Sequence, residues 1–107
     1  MIEFTEGIYD FYVYILTNKN KTVLYTGVTN DIRRRLKEHR EKKNPKSFTA
    51  RYNVEFLIYY EHFGWIQLAI VREKEIKDLR RELKLDLIKS FNPDLKFLNS
   101  HFEIPTE

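Results

Sequence analysis

Tyr12-Val13-Tyr14-Ile15-Leu16, Thr17-Asn18-Lys19-Asn20-Lys21, Val23-Leu24-Tyr25-Thr26-Gly27 and the run from Thr29-Asn30-Asp31 through Arg33-Arg34-Arg35 to Lys37, His39 and Arg40 decide the reading of this chain. The first segment is nearly all apolar, as expected of a central strand buried on both faces. A polar turn follows, then a second strand over Thr22 to Thr26 that pairs with the first as a hairpin. Gly27, free of Cβ, is expected at the turn from strand to helix. The helix runs from about Asp31 to Lys42, with Thr29 or Asn30 able to cap it. Two strand tyrosines, a glycine and an arginine-rich helix suit an anionic ligand, and a phosphodiester is the obvious one.

Within that helix, the period of 3.6 puts Ile32, Leu36 and His39 on one face. Arg35 stands at the edge of the stripe, while Arg34 and Lys37 point toward solvent. Asn44-Pro45 stops the helix. A polar, basic loop from Lys46 to Asn53 follows, with Phe48 and Tyr52 interleaved. A third strand is read over Val54 to Glu61 and a second helix from Trp65 to about Lys77, with Ile66, Ala69, Ile70 and Ile76 on or near one side. A third helix, about Arg80 to Ser90, carries Leu83, Leu87 and Phe91. The resulting class is α+β: a small, mainly antiparallel three-stranded sheet flanked by helices, in the order β-β-α-β-α-α.

The chain of 107 residues, 42% hydrophobic and 15% aromatic, fits one folded domain rather than disorder. Residues 1–10 read as a leader, 11–98 as the core and 99–107 as a tail. Cysteine is absent, which excludes a disulfide framework and thiolate metal sites. No apolar run approaches a membrane span, and the acidic start lacks a signal-peptide layout. A cytoplasmic protein with no membrane contact is the expectation. The net charge of +3 is mild, but the positive charge gathers between Arg33 and Arg51. Such a patch fits nucleic acid, although a charge run alone is more often a solvated helix face.

The spacing of these residues resembles the GIY-YIG nuclease family, in its small stand-alone form. Tyr12-Val13-Tyr14 stands for the first half-motif, with tyrosine where glycine is usual, and Tyr25-Thr26-Gly27 for the second. Gly7-Ile8-Tyr9 spells the family's letters but lies too far from Tyr25, so it is read as coincidence. Arg35 falls ten after Tyr25, as the family's helix arginine does, and His39 follows four later. The run from Ala69 to Lys77 resembles the glutamate-bearing helix, which implies a metal-ligand role for Glu73. Ser90-Phe91-Asn92-Pro93 resembles the family's ending, with Asn92 as its supporting asparagine beside Gly27.

The resemblance implies an endonuclease that hydrolyses DNA phosphodiester bonds with Mg²⁺ or Mn²⁺ and has low sequence specificity. Single-stranded, flap or nicked DNA would suit so small a site, and DNA repair is among the roles of family members. One carboxylate suffices for Mg²⁺, which keeps several waters. Arg35 can fork onto phosphate oxygens. Tyr14 can serve as general base only if its reference pKa of about 10 is lowered or it relays a proton. Tyr25 can orient water or phosphate, and His39 can orient Tyr14 or accept a proton. Arg33, Arg34, Lys46, Ser47 and Arg51 are expected along the nucleic-acid backbone, with Lys42 and Lys43 nearby.

Taken singly, each residue has a plainer reading. Strand tyrosines usually pack, Arg35 can cover the core edge, Glu73 can pair with Arg72, Lys77 or Arg35, and Asn92 can cap a turn. Phe48 and Tyr52 are read equally as core plugs or as stacking surfaces for unpaired bases. The alternative to a nuclease is a nucleic-acid-binding module with little or no cleavage, separable by metal-dependent turnover. A protein-interaction domain on the same scaffold is a third reading, and it would show an exposed apolar patch and lack nucleic-acid affinity.

Overall fold

The computed structural model describes residues 10–106; Gly7-Ile8-Tyr9 lies outside them. Three strands, β1 (Phe11–Thr17), β2 (Leu24–Thr29) and β3 (Phe56–Phe63), form an antiparallel sheet in the order β2-β1-β3. Four helices accompany it: α1 (Ile32–Arg40), α2 (Phe48–Arg51), α3 (Ile66–Asp78) and α4 (Arg81–Phe91). A 3-10 helix, Asn99–Phe102, follows. The α+β class and the order of the longer elements agree with the sequence reading. The short α2 falls where the sequence suggests a loop.

The central place of β1 explains its apolar run. Tyr14 and Leu16 face one side, where they join Ile32 and Leu36 of α1, Val54, Leu57, Leu98 and Ile104. Val13 and Ile15 face the other, with Ile58, Tyr59, Ala69 and Ile76 of α3 and Ile88 of α4. The sheet is thus sandwiched, α1 on one face and α3 with α4 on the opposite one. Ile15 pairs with Tyr59 but Leu16 with Leu57, which marks a bulge in β3. The extra residue lets consecutive Ile58 and Tyr59 serve the same core.

Several local expectations change. Strand β2 runs to Thr29, so Gly27 sits inside it rather than at its end. Asp31, not Thr29 or Asn30, caps α1 by accepting from the Arg34 N–H, and Thr29 Oγ1 instead accepts from Asp31 N–H. On α3 only Ala69 and Ile76 are buried, and Ile66 and Ile70 are exposed because the sheet is touched by a narrower stripe than the composition suggests. On α4 the buried residue is Ile88, while Leu83 and Phe91 face outward.

The segment after α4 is anchored rather than loose. Asn92 donates to the carbonyls of Ile58 and Lys96, both at 2.9 Å, and accepts from Lys96 N–H at 3.0 Å. Asn99 accepts from Leu57 N–H at 2.8 Å and donates to Glu55 O at 3.1 Å. Both asparagines are buried, where amide hydrogen bonds unmet by water must be met by protein.

Candidate functional site

The register of the hairpin places Gly27 directly across from Tyr14. A Cβ on Gly27 would lie 2.5 Å from Tyr14 Oη and 2.6 Å from Cζ. No glycine among the described residues has a positive φ, so Gly27 is required for space and not for backbone conformation. The tyrosine ring therefore folds over the glycine, and its hydroxyl reaches toward α1.

There Tyr14 Oη meets His39 Nε2 at 3.2 Å, and His39 Nδ1 meets Thr49 Oγ1 at 2.9 Å. All three residues are buried. Burial, then the nearby Tyr25, pushes the Tyr14 phenol up to about 12 against the lowering influence of Arg35. Burial and then the Arg35 charge push His39 down to about 4, with Glu38 opposing. At neutral pH the pair is therefore a protonated phenol beside a neutral imidazole. The phenol can donate to Nε2 while Nδ1–H donates to the threonine hydroxyl.

Sequence reading counts Thr49 only among the polar residues of the basic loop and misses its hydrogen bond to His39. Thr49 lies on α2, whose first turn is capped by Ser47 Oγ accepting from Ala50 N–H. A Ser-x-Thr pattern after a proline was the available signal for such a capped turn.

Arg35 is half-buried at the edge of α1 and pairs with Glu38 at 2.7 Å. It shares a cavity of about 390 Å³ with Tyr25, Glu38, His39, Lys42, Lys43, Asn44, Ser47, Phe48 and Thr49. Tyr25 packs against both Tyr14 and His39, with centroids 6.4 and 5.7 Å away. Tyr14, Tyr25, Gly27, Arg35 and His39 are thus brought together, with Ser47 on the rim.

The other expected residues stand elsewhere. Arg33 pairs with Glu103 at 3.4 Å, Arg34 approaches Glu38 at 3.8 Å, and both line surface hollows outside this cavity. Lys46 and Arg51 are exposed and do not line it. Glu73 lies on α3 and does not line this cavity, and its carboxylate meets Lys77 Nζ at 3.2 Å. Beside it, Arg72 grips Glu61 through Nε and Nη2 at 3.0–3.1 Å, and Tyr59 donates to the same carboxylate. Asn92 ties the end of α4 to β3 and is remote in role from the cavity lining.

Among the described residues, no group of three or more His, Asp or Glu gathers in metal-binding array. A divalent ion would then rest on a single carboxylate. Glu73 offers one hard oxygen donor, its side chain 18% exposed. A single hard oxygen donor is compatible with a hard divalent ion that fills its remaining positions with waters and substrate oxygens.

A family model described as the GIY-YIG catalytic domain matches residues 10–86. The chain belongs to the GIY-YIG family. The match begins after Gly7-Ile8-Tyr9, and it covers Tyr14, Tyr25, Gly27, Arg35, His39 and Glu73. A UPF0213 protein of Syntrophus aciditrophicus is 40% identical over 83 residues, covering 78% of this chain and 93% of that one. A UPF0213 protein of Clostridium perfringens is 43% identical over 79 residues, covering 74% and 83%. The solution NMR structure of a UPF0213 protein from Bacillus halodurans is 31% identical, with a TM-score of 0.53 over 91% of this chain and 99% of the other. GIY-YIG domains are a nuclease family of the endonuclease hydrolases, so membership points to a nucleic-acid substrate. No helix among the described residues is long and apolar enough to cross a membrane.

Proposed function

We propose that this GIY-YIG protein is a divalent-metal-dependent endonuclease that hydrolyses DNA phosphodiester bonds with little sequence specificity of its own. One observation carries the reading: the Tyr14–His39–Thr49 hydrogen-bond chain lies against Arg35 at a cavity whose rim holds Lys42 and Lys43. Phosphate enters that rim by charge, and base sequence is not read by such contacts.

Arg35 then exchanges Glu38 for phosphate oxygens. Its forked guanidinium matches two of them and counters the charge that builds as the bond breaks. Tyr25, on the cavity wall, orients the phosphate or the attacking water through its hydroxyl. A free Tyr14 phenolate is a poor candidate for the base, since burial raises its pKa. A relay avoids it: Tyr14 Oη takes the water's proton as its own proton passes to His39 Nε2. Phosphate bound to Arg35 offsets the charge that holds His39 down, so the imidazole becomes a better acceptor when substrate is present.

Glu73 would hold the ion, with release from Lys77 as the accompanying change. When bound, a divalent metal polarises the phosphate and lowers the pKa of attacking water. Gly27 keeps the Tyr14 ring in place, and Asn92 supports the scaffold behind it. Ser47 and the exposed Arg33, Arg34, Lys46 and Arg51 steer the strand. The whole chain acts as one domain, and a cytoplasmic location suits its cysteine-free composition.

The deciding experiment incubates labelled single-stranded, duplex and branched DNA with Mg²⁺, with Mn²⁺ or with chelator. Cleavage by the wild type, absent with chelator and lost in Glu73→Ala, is expected. Cutting that persists in Glu73→Ala overturns the metal assignment. Metal-independent binding without turnover would instead favour a binding module, a reading supported by the engagement of Glu73 by Lys77.

A further inference from the structure

An aromatic pair that the phosphate chemistry does not use stands at the cavity: Phe48 lines it and Tyr52 packs on Phe48. Phe48 and Tyr52 stand four positions apart on and just after α2, so they share one side of the turn. Their centroids lie 4.9 Å apart, and Phe48 stacks on Tyr25 with an interplanar angle of 25°. Yet Phe48 is 47% and Tyr52 46% exposed. Of the two sequence readings of these rings, core plugs or stacking surfaces, that exposure excludes the first.

Their exposure is enforced by what holds the turn. Thr49 and Ala50, between them, are buried, Thr49 O accepts from Val54 N–H at 2.8 Å, and Ser47 caps the start. With the small and polar residues fixed inward, the two rings are presented outward on a rigid support. A rigid ring loses little freedom on stacking, which favours binding.

Charge next to the rings indicates what they receive. Phe48 lines the cavity together with Lys42, Lys43 and Arg35. Cations beside exposed aromatic faces suit a strand whose phosphates meet the former and whose bases meet the latter. In a duplex both faces of each base are already stacked, and unstacking costs free energy. The volume of about 390 Å³ falls within the range of clefts that take a small planar group.

We propose that Phe48 and Tyr52 form a stacking platform for an unpaired base next to the scissile phosphate, so the preferred substrate is single-stranded DNA at the point of cleavage. This rests on the nuclease reading above, which it narrows to a substrate class.

The test places 2-aminopurine at successive positions of a short single-stranded oligodeoxynucleotide, with chelator present to prevent turnover. Fluorescence of the probe should be quenched by the wild type at one or two positions, and an abasic nucleotide there should weaken binding about tenfold. Phe48→Leu keeps bulk but removes the π face. It should lose the quenching and bind intact oligonucleotide about tenfold more weakly, with no further loss for the abasic one. Tyr52→Leu should show a smaller loss of the same kind, and circular dichroism should report a wild-type fold in both.

Unchanged quenching and affinity in a folded Phe48→Leu would overturn the platform. So would equal affinity for duplex and single strand with the same dependence on Phe48. The two proposals fail differently. A wild type that quenches the probe but cuts nothing with Mg²⁺ or Mn²⁺ overturns the nuclease reading and leaves the platform. One that cuts single strand and duplex equally, with Phe48→Leu no different, overturns the platform alone.

Discussion

Gly27 shows how one missing methyl group determines a site. Its Cβ position is taken by the Tyr14 hydroxyl at 2.5 Å. Gly27→Ala should displace the Tyr14 ring, reduce stability by roughly 1–3 kcal/mol as overpacking does, and lower cleavage at least tenfold; thermal unfolding and a turnover assay would show both. His39 carries a pH signature. Its folded pKa, about 4, lies below the ordinary value of 6.5. Between these values the unfolded chain takes up a proton that the folded one does not, so stability falls as pH drops from 6.5 toward 4. His39→Gln should flatten that part of the stability curve. For Tyr14 the sign is opposite: its pKa rises from 10.0 to about 12, and stability is lost as pH climbs through that window. Unfolding by urea at a series of pH values measures both. At this scale the sequence is informative about identity but not about environment. Tyr14 and His39 can be named from spacing, whereas their opposite pKa shifts arise from burial that depends on the closed fold.

At the level of elements, two kinds of connection set the site. The first is the capped turn of α2, which brings Thr49 to His39. Ser47→Ala should cost about 1 kcal/mol, the usual worth of an N-cap, and should loosen the histidine as well. A broadened or shifted His39 ring resonance in NMR, absent from a control substitution at exposed Lys46, would report it. The second is the asparagine clasp. Asn92 makes three hydrogen bonds that tie α4 to β3 and to the turn after it. Asn92→Ala leaves buried partners unmet and should destabilise by about 2–3 kcal/mol, measured as a shift in the urea midpoint, with modest effect on the residual turnover of folded protein. The longer elements are legible because each carries a repeating pattern: the apolar run of β1 and the Ile32–Leu36–His39 stripe of α1. Strand β2 reads short from sequence because Gly27 looks like a terminator. In fact it continues the ladder and owes its identity to the ring across from it. The stripes of α3 and α4 read too wide, since apolar residues such as Ile70 and Leu83 lie on faces that nothing in the described fold covers.

For the molecule as a whole, charge and geometry separate. Positive residues surround the cavity, so binding of a single strand should weaken steeply with salt. Replacing both Lys42 and Lys43 by glutamine should reduce the slope of log affinity against log salt by roughly 1.4, about 0.7 for each single-strand phosphate no longer neutralised; titrations at several salt concentrations would check it. The sequence by itself determined the α+β class, the order of the main elements, the family and the identities of Tyr14, Tyr25, Gly27, Arg35, His39 and Glu73 as the residues to inspect. The class and element order are matters of periodicity, which is local, and the family and its residues come from a resemblance carried by motifs in chain order. Only the tertiary structure decided that Gly27 is needed for space, that Thr49 completes the hydrogen-bond chain, that Phe48 and Tyr52 face outward, and that Glu73 rests on Lys77 apart from the cavity lining. Each of those depends on which surfaces meet when the two sheet faces are covered. The meeting of residues distant in the chain, and the burial that follows from it, has no counterpart in local pattern.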